Sequence, residues 1–321
     1  MNVEEYKRPL DLAAASRPRQ HLTMDSRATA LASARQPAST VALWALLALF
    51  AAATVLPLFP DKVPLTVIVA AHIIPAALFA LVHGALVYRL RGILVFAAIS
   101  LVIGNVVENI GVLTGFPFGH YYFTAGMGPK LFLVPILMGP AYVGMGYVSW
   151  TLGRLMVVGP RGSTTGSGAG RALRVVTVPL AASFAMVAWN LTMDPALSTV
   201  GHYWIWKQGG AYFGVPVTNF LGWFLANYII YQMFALHLRG RASSLPAHPL
   251  PALHWYSVLF YALMAAGAVL RAIPTASAAV VADATGAHWK VSDINGACAL
   301  AAGFIMGPFV LLAWARLAER D

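Results

Sequence analysis

With 59% hydrophobic and only 10% charged residues, this 321-residue chain is far too poor in charge for a soluble protein, which carries about a quarter charged residues. Its mean hydropathy of +0.71 places it among integral membrane proteins. The net charge of +10 would suit nucleic acid, but its distribution along the chain, traced below, makes it a membrane-topology signal instead. A single cysteine, Cys298, excludes internal disulfides and thiolate metal clusters.

The first 39 residues mix Lys7, Arg8, Arg17, Arg19, Arg27 and Arg35 with Glu4, Glu5, Asp11 and Asp25. No apolar core begins before about Val41, and the acids argue against a transit peptide. Residues 1–39 therefore read as a disordered cytoplasmic tail. A bilayer core needs about 20 apolar residues per helix. Segments of that kind are expected at 40–58, 63–88, 93–114, 131–158, 173–193, 216–238, 252–273 and 294–315. The expected fold is an all-α, polytopic bundle of about eight membrane helices. It forms one transmembrane domain over 40–316, with a Gly/Ser/Thr-rich cytoplasmic loop at 159–170 and a short tail at 317–321. With the N-terminus cytoplasmic, 16 of the 21 Lys and Arg residues fall on the cytoplasmic side, and both termini lie inside. The basic excess then faces lipid headgroups, and no nucleic-acid partner is expected. The expected location is the cytoplasmic membrane of a bacterium or archaeon.

A short pattern occurs twice. Gly119-His120-Tyr121-Tyr122 is followed by Val134-Pro135, and Gly201-His202-Tyr203-Trp204 by Val215-Pro216. Each copy follows a rare acid, Glu108 or Asp194. Glu108 lies within an expected membrane helix and Asp194 abuts one, and an ionisable group in hydrocarbon is a functional candidate by default. Asn105, Glu108 and Asn109 share one helix face by their spacings of three and four. Asn190 and Asp194 are likewise four apart. Seven residues beyond each proline stands an aromatic, Tyr142 or Trp223, and Asn219 and Asn227 lie on the Trp223 face. Both loops are expected on the non-cytoplasmic side. Glu108 sits about six residues inside its helix, roughly 9 Å deep at ~1.5 Å per residue. Asp194 reads as the start of an Asp-Pro turn at a helix end.

Structural uses compete with these readings. Membrane Asn residues also join helices, and Tyr and Trp near helix ends also form aromatic belts. His120 and His202 read as proton relays, metal ligands or plain loop histidines. His72 and His83 are about 16 Å apart along one helix, so they share no metal and read as satisfied polar residues. Asp283, His288 and Asp293 read as solvated. No HxxxH, DDxxD, Walker A, GxGxxG or GxSxG pattern occurs in a supporting context. What remains is acid–base chemistry in a dry aromatic pocket. Desolvation favours the neutral form of a carboxyl group, which can then donate a proton. Aromatic faces stabilise a carbocation, and a second carboxylate can take a proton from water. No metal or organic cofactor is called for. Hydration and cyclisation of an isoprenoid double bond both fit this chemistry, and a transporter could use the same acids.

The run from Glu108 through Gly119-His120-Tyr121-Tyr122 resembles the carotenoid biosynthesis membrane-protein family. That family includes CruF-type carotenoid 1,2-hydratases and haloarchaeal bisanhydrobacterioruberin hydratases. Asp194, Tyr203-Trp204-Ile205-Trp206, Gly210 to Pro216, Asn219, Gly222 and Trp223 resemble the family's second hallmark. Together they cover roughly residues 95–235. The resemblance implies hydration of the terminal 1,2 double bond of an acyclic carotenoid end group, without redox change or cofactor. On that reading Glu108 and Asp194 are catalytic, with Glu108 donating the proton and Asp194 orienting or deprotonating water. Tyr121, Tyr203, Trp204 and Trp223 line the end-group pocket, joined in substrate binding by Asn105, Asn109, His120, Tyr142, Asn190, His202 and Asn219. A terpene or polyprenoid cyclase on the same scaffold, and a non-enzymatic carotenoid- or lipid-binding protein or transporter, are the alternatives.

Overall fold

The computed structural model describes residues 24–59, 61–160, 169–240, 251–273 and 279–319, with side chains from Ala38. The start of the expected tail, most of the 159–170 loop and the last two residues lie outside the described residues. The chain divides into two compact units, Met1–Thr40 and Val41–Asp321. In the first, helix α1 (Met24–Ala53) begins within the segment read as a disordered tail. The second holds everything that follows.

Among the described residues the fold is helical, with α2 (Leu65–Thr114), α3 (Met138–Val158), α4 (Ala169–Pro195), α5 (Val217–Gly240), α6 (Pro251–Ala272), α7 (Val291–Ala301) and α8 (Gly307–Ala318). Five spans are long and apolar enough to cross a membrane: 38–58, 65–114, 172–200, 253–272 and 291–318. Their outward faces carry Val102, Val106, Leu113, Phe184, Phe304, Leu311 and Leu312, all exposed. An apolar exterior of this kind belongs against lipid, and the chain is a membrane protein.

The long α2 is two arms. Arg89 sits at φ 59°, ψ 164°, outside helical geometry. In a straight helix Gly84 and Ile93 would stand about 13.5 Å apart, yet a Cβ on Gly84 would run into the Ile93 side chain. Tyr88 and Phe96 both meet the ring of Tyr147. The chain therefore folds back at Arg89, where the sequence places the gap between 63–88 and 93–114. The second arm ends at Gly115, whose φ of 82° places its N–H on the Gly111 carbonyl at 2.8 Å, a left-handed cap that favours glycine.

α3 and α5 are not among the five apolar spans, and the position of α3 explains its own case. α3 is buried almost throughout from Ala141 to Leu155, so it meets protein instead of lipid and can carry Gly, Ser, Thr and Tyr. A Cβ on Gly144 would lie 2.7 Å from the Ala76 and Ala77 backbone. One on Gly153 would meet the backbone of Ala182. These glycines let α2 and α4 close onto α3. The expected helix over 131–158 begins late. Residues 130–135 instead form a tight hairpin, β2 (Lys130–Leu131) against β3 (Val134–Pro135), because Pro135 offers no N–H for a helix.

Two further strands decide where the site lies. β1 (Tyr121–Phe123) pairs antiparallel with β4 (Trp204–Trp206), Tyr121 opposite Trp206 and Phe123 opposite Trp204. The two Gly-His-Tyr loops thus join in one ribbon at one end of the bundle. Strand alternation turns Tyr121, Phe123, Trp204 and Trp206 inward, all buried, and leaves Tyr122 exposed. Near them a last hairpin, β5 (Val280–Ala282) with β6 (His288–Lys290), is closed by Asp283. Asp283 is not simply solvated: its carboxylate accepts from Thr285, Ala287 and Trp289. Partial burial opposes ionisation there, but the Thr285 and Trp289 hydrogen bonds prevail and hold its pKa below the usual value.

A methyl group at Gly144 has nowhere to go. Gly144→Ala is expected to destabilise the protein by about 1–3 kcal/mol, read as a lower midpoint in thermal scanning of detergent-solubilised protein. Gly296→Ala, with nothing within 4 Å of the added Cβ, is expected to leave the midpoint unchanged or higher.

Candidate active site

Glu108 lies on the second arm of α2, flanked on the same face by Gly104 and Gly111. Both are required by what packs there. A Cβ on Gly104 would press 2.8 Å from the Tyr142 ring, and one on Gly111 would meet Phe118 at 2.7 Å and the Tyr121 hydroxyl at 3.0 Å. The bare backbone lets two tyrosines reach the acid. Tyr121 Oη donates to Glu108 Oε2 at 2.5 Å, and Tyr142 Oη donates to Oε1 at 2.8 Å. Burial first, and then the neighbouring Glu108 carboxylate, push the Tyr121 phenol well above its usual range, so it stays protonated.

Asp194 lies on α4 one residue before Pro195. The expected helix-end turn is absent: the helix runs through Pro195 and continues as a π-turn, Ala196–Val200. Such turns recur at functional sites. Pro195 cannot supply an N–H to the Leu191 carbonyl, and the Tyr212 hydroxyl takes that role at 3.2 Å. Ser198 Oγ donates to the Asp194 carbonyl at 2.8 Å. The side chain is enclosed by N–H donors. Trp204 Nε1 and Trp206 Nε1 both donate to Oδ1 at 3.2 Å. Asn219 Nδ2 at 2.7 Å and Asn190 Nδ2 at 3.2 Å donate to Oδ2.

Both acids are therefore buried, with Glu108 at 3% and Asp194 at 1% exposure. Among the described residues neither joins an ion pair; the bridge there is Arg316–Glu319, on the surface. An unpaired ionised carboxylate in such a setting is very costly unless hydrogen bonds replace water. Bonds to a charged group contribute about 1.5–3 kcal/mol each, which is why two tyrosines gather on one acid and four N–H groups on the other.

The two acids line one cavity of about 430 Å³. Its wall includes Tyr121, Trp189, Tyr203, Trp204, Trp206, Asn219 and Trp223, with Phe50 of α1 and aliphatic residues from α2 and α3. Tyr142 stacks on Trp223, ring centres 5.0 Å apart and planes within 4°. Burial pushes the Tyr203 phenol up to about 12 against the pull of Arg271, so it remains neutral. The arrangement is an aromatic-walled cavity with one acid held by hydroxyls and a second held by N–H groups. Among the described residues no group of three His, Cys, Asp or Glu is placed to hold a metal ion.

The profile of the carotenoid biosynthesis protein family matches residues 63–285, which takes in both acids, both loops and the cavity wall from α2 to α6. The chain belongs to that family. The bisanhydrobacterioruberin hydratase of Haloarcula japonica is 27% identical over 134 residues, 40% of this chain and 40% of that protein. The aligned part thus spans well under two thirds of that relative's length. No solved structure matches this chain. The family assigns it a role in carotenoid biosynthesis; nothing in these comparisons supports a terpene cyclase.

Within this carotenoid biosynthesis protein, the residues singled out from sequence separate into two groups. Glu108, Asp194, Tyr121, Tyr142, Asn190, Tyr203, Trp204, Asn219 and Trp223 converge on the two acids or the cavity wall. Asn105 and Asn109 do not. Asn109 Nδ2 donates to the Asn105 carbonyl at 2.8 Å, and its Oδ1 accepts from Leu133 N at 3.1 Å, so the pair anchors the β2–β3 hairpin. His120 and His202 are exposed on the ribbon's outer side, and neither lines the cavity. His83 is a satisfied polar residue, bonded to Tyr147 Oη and the Leu253 carbonyl, both at 2.7 Å. Sequence reasoning named Trp206 within the second hallmark without giving it a role at the acid, and passed over Gly104 and Gly111. The glycines had a signal, small residues four before and three after a membrane acid.

Pigment conversion per unit of accumulated protein separates the groups. His120→Ala and His202→Asn, the latter suited to that residue's φ of 52°, are expected to retain it. Gly104→Val, which drives Tyr142 from Glu108, is expected to lose most of it.

Proposed function

We propose that this protein is a multi-pass membrane enzyme that adds water across the terminal 1,2 double bond of an acyclic carotenoid end group. The observation that carries the reading is the pairing of Glu108 with Asp194 in one apolar, aromatic-walled cavity. Such a volume lies in the range that holds a drug-sized ligand. It suits the end of a polyene, with the remainder lying along the apolar exterior in lipid. Eight membrane helices, with both termini on the cytoplasmic side of a bacterial or archaeal membrane, fit the charge distribution.

The hydrogen-bond partners divide the labour between the acids. Tyrosine hydroxyls both donate and accept, so Glu108 can be neutral or ionised without leaving an orphaned group. Glu108 is therefore the proton donor to the alkene carbon C2. Tryptophan N–H groups and amide NH₂ groups only donate, so the Asp194 surroundings suit a carboxylate. Its fixed charge and the faces of Trp204, Trp206 and Trp223 stabilise the tertiary cation that develops at C1. Water then captures the cation as a tertiary alcohol. The reaction changes no oxidation state overall, so it needs no redox partner. The Haloarcula relative, named a hydratase, supports the same chemistry.

Expression in cells that make acyclic carotenoids, grown in oxygen-18 water, tests this by pigment mass. The expected product is heavier by one water and carries the label in its new hydroxyl. A hydroxyl labelled only from oxygen gas overturns hydration, and an unchanged pigment points to binding or transport. Glu108→Gln is expected to cut alcohol formation by about 10²-fold or more, with the protein still present in the membrane.

A further inference from the structure

Hydration inside an apolar chamber poses a second problem, that of where the water is held. Asp194 is poorly placed to hold it. A carboxylate offers about four lone-pair sites, and Asp194 already accepts four N–H bonds, two on each oxygen. Little capacity is left on it to accept a proton from water.

The neighbouring Asn219 has what Asp194 lacks. Its Nδ2 is fixed by two acceptors, Asp194 Oδ2 at 2.7 Å and Asn190 Oδ1 at 3.2 Å. That sets the amide orientation and turns Oδ1 the other way. Asn219 lines the cavity and is 1% exposed. Its Oδ1 is buried with no hydrogen-bond partner among the described residues. A buried amide oxygen without a partner is uncommon, and a bound water is its usual explanation. The companion oxygen, Asn190 Oδ1, is already occupied by Asn219 itself.

We propose that Asn219 Oδ1 holds the water that attacks the carbocation, and that Asp194 acts only as a fixed counter-charge. This rests on the hydratase reading. The cycle then closes on one carboxyl group. The Glu108 O–H bond breaks as a C2–H bond forms, and the alkene's electron pair leaves C1 cationic. The water on Asn219 forms the C1–O bond with a lone pair. Its surplus proton passes to the Glu108 carboxylate across the cavity, which restores the acid. One water is added and no electron is gained or lost.

Solvent deuterium separates capture from protonation. In D₂O, a cation that escapes water returns a proton to Glu108 and leaves deuterium in the recovered alkene. With an acyclic hydrocarbon carotenoid as the probe, membranes holding the wild type are expected to yield deuterated alcohol. Asn219→Leu, nearly isosteric, is expected to keep deuterium entering the alkene while the ratio of alcohol to exchanged alkene falls by about tenfold or more. Asn219→Val serves if the leucine variant fails to accumulate. Trp206→Phe also removes a donor from Asp194 but keeps both acceptors that fix Asn219 Nδ2, and is expected to lower both products together at an unchanged ratio. If the Asn219 variants lose exchange and alcohol in proportion, or Trp206→Phe shows the same split, the water site is overturned. A wild type that exchanges deuterium but forms no alcohol overturns the hydratase reading itself.

Discussion

Two carboxyl groups must be kept inside a membrane protein, and among the described residues neither is held in an ion pair. Hydrocarbon offers no water to share their charge, so every compensating hydrogen bond has to come from the protein. Most of the local architecture answers that demand. Tyr121 and Tyr142 reach Glu108 only because Gly104 and Gly111 leave the helix surface bare. Trp204 and Trp206 reach Asp194 only because β4 is held in register with β1. The proline after Asp194 is tolerated within the helix because Tyr212 bonds the carbonyl that Pro195 leaves without an N–H.

The same groups that satisfy the acids also build the chamber. Tyrosine and tryptophan each bring one polar atom on a large apolar body, so the ring that donates to a carboxylate also lines the cavity. Tyr142 and Trp223, each seven residues after its proline, stack on one another. Tyr121 and Trp206 lie opposite each other across the ribbon. The two loops meet at the site, each bringing its own aromatic donors to its own acid. The two acids nevertheless differ. Hydroxyl partners can serve Glu108 in either protonation state, whereas the donor-only partners of Asp194 suit a carboxylate. Chemical asymmetry thus arises from partner identity more than from depth, since both acids are buried to nearly the same degree.

Much of this was legible in the chain. Rare acids in apolar segments, the doubled Gly-His-Tyr pattern and the aromatic residues after each proline all lead to the site. The residues that fall away from the cavity do so for a common reason. Asn105 and Asn109 share a helix face with Glu108 by spacing, yet the β2–β3 hairpin claims them. His120 and His202 stand beside the aromatic donors in sequence, but strand alternation and the loop turn put them outside. Neighbours in sequence on a strand face opposite ways, and neighbours on a helix face can have different partners.

What the sequence determined by itself is the membrane class, the apolar segments, the family resemblance and the identity of the two acids. Each depends on local composition or on a short motif. Only the tertiary structure decided that both acids share one cavity, that Asp194 is saturated by N–H donors, and that Asn219 keeps an unclaimed oxygen. Those facts depend on which atoms from α2, α4, α5 and the β1–β4 ribbon come within hydrogen-bond reach. Donor and acceptor capacity is a property of each residue, but satisfaction is a property of the packed site.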